Sequence, residues 1–439
     1  MRLSGPKAFS IAASFLSPAR SLKAPKPRTA YMLSVTDGKK TVDKAVALFY
    51  KGPKSYTGED TVEIFCHGSP YITRSILNLS IKAGASPAAP GEFTMRAFLK
   101  GKLDLAQAEA VNDLVSAQTR SAHRAALSQV EGTLSRQVSG LKGKLVNLLA
   151  RLEARLDDSF GDMPLFGERR FLANASAVLS EIRRLADGFE NGRRVKEGIN
   201  AVIAGAPNSG KSSLLNALLG YPRAIVSPMA GTTRDTIETG VELGGFSVNF
   251  TDTAGLKRNT PDAVERQGIS RAAAAMKAAD IILLVKDASL GRATPMDRLA
   301  LETALDASAS GARLIKIFNK SDLLSPARAS KPALKKDEFL VSCKTGSGLA
   351  AVKRAVISGE KRHFSRTAAL VTSARHFEAL SLAAGELEKM LVLKKRRPFA
   401  LELAAEHMRG AINGLSSILG ETAPEEVLAD VFRNFCVGK

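Results

Sequence analysis

The octapeptide GAPNSGKS at residues 205–212 constrains this chain more than any other feature, because it follows the apolar run Ala201–Ala204 and precedes the helix-forming stretch SLLNALLG. A strand, a glycine-bearing turn and a helix in that order let backbone N–H groups wrap an anion at the positive end of the helix. Lys211 then reaches the β- and γ-phosphates of a nucleotide, and Ser212 offers a hydroxyl to Mg²⁺. Asn208, Ser209, Gly210 and Ser213 complete the loop. An isolated motif of this kind also occurs as decoration in long chains; the strand–loop–helix context argues against that here.

Three more elements follow in the order a GTPase requires. DTAG at 252–255 comes after a strand, so Asp252 can hold the metal shell, Thr253 and Ala254 line the turn, and the Gly255 N–H can meet the γ-phosphate. NKSD (Asn319, Lys320, Ser321, Asp322) also ends a strand. Asp322 can accept from guanine N1–H and the exocyclic amine, which adenine cannot offer. Ser342, Cys343 and Lys344 form the weaker third loop near the base. Ser227, Pro228, Met229, Ala230, Gly231, Thr232 and Thr233 line the nucleotide from the switch side, and Thr232 or Thr233 supplies the switch threonine for Mg²⁺.

Hydrolysis needs a water-orienting group. Ras-type GTPases place a glutamine directly after the DxxG glycine; here that position is Leu256, which has no polar atom. Glu265 in AVERQGISRAA is the candidate, although spacing alone favours reading it as a solvated helix-face carboxylate. A cation must offset transition-state charge. Asn208 and the stretch SPMAGTT can jointly bind a monovalent ion for that purpose.

The rest of the chain has three textures. Residues 1 to about 100 mix β-branched runs such as TVEIFCH with Gly/Pro turns, as a small α+β domain does. DLAQAEAVNDLVSAQ and LVNLLARLEARLDD are amphipathic helix patterns, and the helical texture returns after Glu360 in HFEALSLAAGELEKMLVL and LELAAEHMRGAINGLSSIL. Between them NAVIAG, FSVNFTDTAG, DIILLVKDAS, RLIKIFNKSD and EFLVSCKTG alternate with helices, which predicts a mostly parallel sheet. The pattern is a helical domain interrupted by an inserted α/β domain. Against 43 acidic residues stand 63 basic ones, a balance of +20 that favours a polyanionic partner, RNA first, over a merely solvated basic surface. The three cysteines are too widely spaced for a metal knuckle and suit a reducing compartment. No apolar run is long enough to span a membrane. The basic, apolar start reads as folded chain and the protein as cytoplasmic.

These motifs, with PGEFTMRAFLKGKLDLAQAEAVNDL at 90–114, YTGEDTVEIFCHG at 56–68 and the terminal FCVGK, resemble the tRNA-modification GTPase family MnmE, also called TrmE. The resemblance covers nearly the whole chain. It implies an N-terminal folate-binding and dimerisation domain (1–101), a helical domain in two parts (102–197 and 359–439) and a Ras-like P-loop G domain (198–358). It further implies a homodimer whose G domains meet across the nucleotides when K⁺ binds. By motif, Asn208, Ser227, Met229 and Thr232 surround K⁺, Ser212 and Thr233 hold Mg²⁺, and Glu265 orients water.

With the FAD-dependent partner MnmG, in a heterotetramer, such proteins modify C5 of the wobble uridine of certain tRNAs. The carbon comes from a 5,10-methylene- or 5-formyl-tetrahydrofolate donor. Arg2, Glu63, Lys102 and Lys439 align with the folate contacts. Cys436 reads first as a small buried hydrophobe, and its place in the tail gives it a role in positioning or protecting the one-carbon site. The segment matching MRLSGPKA falls roughly twenty residues into the usual family pattern, which makes folate binding the less secure expectation. DDSFGDMPLFGER at 157–169 lacks the family's usual acidic run, and LKKRR at 393–397 is either a solvated helix end or a tRNA-facing or partner-facing patch. One rival is a ribosome-assembly GTPase of the Era or Der kind, which would share the G-domain motifs and leave the tail unexplained; the other is a family member that keeps the GTPase but lacks folate chemistry.

Overall fold

The computed structural model describes every residue except 19–21, 23–24, 158–166, 221–238, 253–272, 291, 310, 326–333, 365–369, 396–398, 437 and 439. The chain forms two compact units, one of Met1–Ser116, Leu127–Arg183 and Glu378–Lys439, the other of Ala117–Ala126 and Arg184–Phe377.

The first unit opens with β1 (Arg2–Ser4), α1 (Ala8–Phe15), β2 (Leu16–Ser17), β3 (Ala30–Asp37), β4 (Lys40–Tyr50), β5 (Thr61–Phe65) and α2 (Pro70–Lys82). The strands make an antiparallel sheet in the order β1-β5-β4-β3-β2. Alternation with period two decides which face is buried. Leu33, Val35, Ala45, Ala47, Phe49, Val62 and Ile64 point to a core closed by Ala8, Ile11, Ala12 and Phe15 of α1 and by Ile76 of α2. The apolar start of the sequence is therefore folded chain, as read, and takes the form of a core helix. Full burial of a side chain such as Phe49 contributes about 1.5–3 kcal/mol. On the opposite face Met32 pairs with Val46 and Val46 with Phe65, and Met32 and Phe65 are exposed.

Helices α3 (Glu92–Leu99), α4 (Leu105–Ser116), α5 (Arg120–Val130), α6 (Thr133–Leu156) and α7 (Glu168–Ala186) follow. In α6 the buried residues Leu134, Val138, Leu141, Leu145, Leu148 and Leu152 recur at alternating four and three spacing, an unbroken stripe along one side.

The second unit contains α8 (Phe189–Glu197), β6 (Ile199–Ala204), α9 (Lys211–Leu219), β7 (Thr239–Leu243), β8 (Phe246–Asp252), β9 (Ile281–Asp287), α10 (Pro295–Ala309), β10 (Arg313–Asn319), β11 (Glu338–Leu340) and α11 (Leu349–Phe364). The strand order is β11-β10-β9-β6-β8-β7, parallel throughout except for the antiparallel edge strand β7, which the sequence reading did not distinguish. Ile203, Leu283 and Ile317 fill the core on one face of the sheet; Val202, Ile282, Leu284 and Ala304 fill it on the other. Strands buried on both faces read as continuous apolar runs, as IILLV does. Parallel alignment brings the carboxyl ends of β6, β8, β9, β10 and β11 to one edge, where ligands bind in such sheets. At the opposite edge Asp280 ties α8 to the sheet. Its carboxylate accepts from Arg193 Nη2 (2.7 Å), Arg194 Nε (2.9 Å) and the Asn200 N–H (2.9 Å).

The chain ends in the first unit with α12 (Ala374–Val392), which begins just before it, α13 (Leu401–Leu419) and α14 (Glu425–Arg433). α13 packs along α6, so a helix before the α/β sheet pairs with one after it. Ion pairs Arg409–Glu153 and Lys142–Glu421 join the same two segments at the surface. Phe432 and Phe435 pack with Leu105 and Ala108 of α4, which docks the tail. Among the described residues no helix is long and apolar enough to cross a membrane.

Candidate nucleotide-binding site

The loop after β6 is built for a close approach of backbones. Gly205 has φ +145°, and a Cβ there would lie 2.1 Å from the carbonyl oxygen of Val285 on β9. Gly210 has φ +94°, and its Cβ would lie 2.1 Å from Asn319 Nδ2. A side chain at either position would fill the space the loop needs to fold back over the sheet edge. Lys211 opens α9 and donates its ammonium to the Gly205 and Ala206 carbonyls, at 3.0 and 2.8 Å. The positive group is thereby held within the loop, at a helix N-terminus, with Ser212 and Ser213 exposed in the first turn. These residues fit a bound phosphate chain.

Asn319 ties three loops into one site. Its Nδ2 donates to the Ser209 carbonyl (3.1 Å), and its Oδ1 accepts from the Cys343 N–H (3.2 Å). The phosphate loop, the NKSD turn and the SCK loop are thus joined through one buried amide. In the NKSD turn Lys320 is left-handed, with φ +64°, and Ser321–Leu323 form a single 3₁₀ turn. Ser342 Oγ donates to Asp322 Oδ1 at 2.6 Å and accepts from the Thr345 N–H at 3.2 Å. Asp322 itself is exposed. Cys343 is half-buried, and burial, reinforced by the Asp322 charge, raises its thiol above the ordinary range.

The Ser342 hydrogen bond, with the positive fields of Lys344 and Lys320, holds Asp322 below the usual carboxylate range. At Asp287, burial pushes upward, but the Lys320 ammonium and the Ser289 donors outweigh it and the net shift is downward. A carboxylate with a lowered folded-state pKa stays ionised from alkaline pH down to below about 4 and loses its contribution only as pH falls through that lowered value. Guanine-nucleotide affinity should therefore be flat between about pH 5 and 8 with respect to these two groups. Titration of a fluorescent GDP analogue against pH checks this once the ionisation of the free ligand's own terminal phosphate is subtracted; a residual midpoint between about pH 5 and 8 would contradict it.

Of the remaining candidates, Asp252 closes β8 beside Ile203 of β6. Ser227, Pro228, Met229, Ala230, Gly231, Thr232, Thr233, Thr253, Ala254, Gly255, Leu256, Glu265 and Lys439 lie outside the described residues. In the first unit Arg2 and Glu63, aligned with two separate folate contacts, pair with each other. Arg2 Nε and Nη2 lie 2.8 and 2.7 Å from Glu63 Oε1, and the guanidinium sits 4.9 Å from the Tyr56 ring and 5.5 Å from the Phe93 ring. Lys102 Nζ donates to the Pro53 carbonyl at 3.0 Å. Cys436 is exposed, so its first reading as a buried hydrophobe is corrected: Phe432 and Phe435 fill the core there and leave the cysteine outside. Sequence reading missed Asp287, whose place at a strand end was its only signal.

A family model described as the MnmE helical domain matches residues 105–436, and one described as the GTP-binding protein TrmE N-terminus matches residues 1–102. The tRNA modification GTPase MnmE of Syntrophotalea carbinolica is 39% identical over 446 residues, covering 100% of this chain and 95% of the relative. That of Symbiobacterium thermophilum is 40% identical over 446 residues, covering 100% and 96%. That of Chlorobaculum tepidum is 39% identical over 419 residues, covering 94% and 87%.

Proposed function

Since the chain belongs to the MnmE (TrmE) family of tRNA modification GTPases, we propose that its GTP hydrolysis drives wobble-uridine modification in tRNA, with K⁺ as the activating ion. The observation that carries this reading is the Asn319 amide joining the phosphate, NKSD and SCK loops, with the Lys211 ammonium already seated. In this reading Asn208, Ser227, Met229 and Thr232 hold K⁺, and Ser212 and Thr233 hold Mg²⁺ with Asp252 behind it. Bound there, the cations supply positive charge to the phosphoryl transition state. Lys211 binds the β- and γ-phosphates, Asp322 selects guanine, and Glu265 orients the attacking water in place of the absent glutamine.

The domains run as 1–101, 102–197, 198–358 and 359–439. The N-terminal domain forms the homodimer, and the row of exposed Met32, half-buried Val46 and exposed Phe65 supports it as a self-contact face. A tetrahydrofolate one-carbon donor binds near Arg2, Glu63, Lys102 and Lys439. An FAD-bearing partner of the MnmG kind completes a cytoplasmic heterotetramer that receives tRNA. For folate, Glu63 must exchange its bond to Arg2 for the pterin N–H donors, and the Tyr56 and Phe93 rings would keep Arg2 in place while it does.

GTP turnover should be at least tenfold faster in KCl than in NaCl, and Glu265→Ala should remove about 10²–10³ of it, the scale of a lost transition-state contact. Equal rates in the two salts would sink the K⁺ mechanism; full activity in the variant would remove Glu265 from its role. Nucleoside analysis of tRNA from a strain lacking the gene should show unmodified wobble uridine, and unaltered nucleosides would reject the pathway.

A further inference from the structure

We propose that Asp287 is a positioning residue for guanine recognition: it holds the Lys320 ammonium away from Asp322, so that the Asp322 carboxylate stays open to the base. The inference rests on the reading of Asp322 as the base selector. Asp287 is the last residue of β9, in register with Asn319. Its Oδ2 accepts from Lys320 Nζ at 2.6 Å, and its Oδ1 is pinned by the Ser289 N–H (2.9 Å) and Oγ (2.6 Å). The carboxylate is nearly enclosed, its side chain only 10% exposed.

Lys320 stands two residues before Asp322 in a left-handed turn, and its charge already acts on that carboxylate. One Asp322 oxygen already accepts from Ser342 Oγ, which leaves the other as the more open acceptor for the guanine donors. An ammonium released from Asp287 would be free to pair with Asp322, an exposed carboxylate two residues along the same turn on which its charge already acts, and so to compete with the base for it. Asp287 and Ser289 thus decide where the lysine charge goes.

The test compares GDP with IDP, whose base lacks the exocyclic amine, as ligands of the full chain. The ratio of their dissociation constants reads the Asp322 contact itself, whereas general loosening weakens both alike. Asp287→Asn should cut the GDP-over-IDP preference by about tenfold, the scale of one charge-assisted hydrogen bond. Asp287→Asn combined with Lys320→Met should restore it, since the competitor is gone. Equal weakening of both nucleotides, or a lost preference that the second substitution does not restore, would overturn the proposal. Lys320→Met alone should keep the preference, and its loss there would also overturn the proposal even if Asp287→Asn does not fold. A parent chain that does not prefer GDP at all would refute the Asp322 reading, and this inference with it.

Discussion

Alanine at Gly205 should abolish GTP binding and destabilise the second unit by about 2–6 kcal/mol, combining the cost of a strained backbone with that of overpacking. The φ of +145° is one that an L-residue rarely adopts, and the added methyl would lie 2.1 Å from the Val285 carbonyl oxygen. Val285 cannot recede, since it is fully buried in β9, held between β6 and β10 in the middle of the sheet. The loop must move instead, and with it the two carbonyls that seat Lys211. Thermal melts with and without GDP read both effects. A parent-like melt that still shifts upward with GDP would show that the loop tolerates the methyl.

Lys211→Ala should do the reverse, leaving the fold nearly intact while lowering kcat/KM for GTP by about 10²–10³, the range for removing one preorganised donor from developing phosphate charge. Among the bonds the lysine gives up are two part-buried ones to backbone carbonyls, on a scale of about 1–2 kcal/mol of stability. Turnover measured beside melting temperature separates the two substitutions, one structural and one chemical. Turnover within tenfold of the parent would mean that the ammonium does not meet phosphate.

What the sequence made legible was what local chemistry determines. GAPNSGKS, the five apolar strands and the NKSD and SCK loops lie where strand–turn–helix logic puts them, and α13 spans the stretch LELAAEHMRGAINGLSSIL end to end. The α6 helix begins earlier than its most apolar part, because Leu134, Val138 and Leu141 continue the stripe through a run of Ser, Gly and Lys. Edge strand β7 went unread although Gly244–Gly245 marks its hairpin; its five residues are too few to declare a period. Nonlocal pairings were the real limit. That Arg2 meets Glu63 follows from β1 lying against β5, a register no spacing along the chain reveals. The Asp287–Lys320 pair likewise exists only once β9 and β10 are side by side. Cys436 depended on which neighbours in its tail would take the core, and the two phenylalanines did.

The bonds from α8 to Asp280 carry a consequence for folding order. A helix of nine residues cannot persist alone in water, where nucleation outweighs the few bonds it gains. Two arginines on a buried carboxylate, and Val195 in the sheet core, make its formation conditional on the sheet. In hydrogen-exchange terms α8 should therefore behave as part of the same cooperative foldon as β6 and β9, its amides opening only when that sheet does.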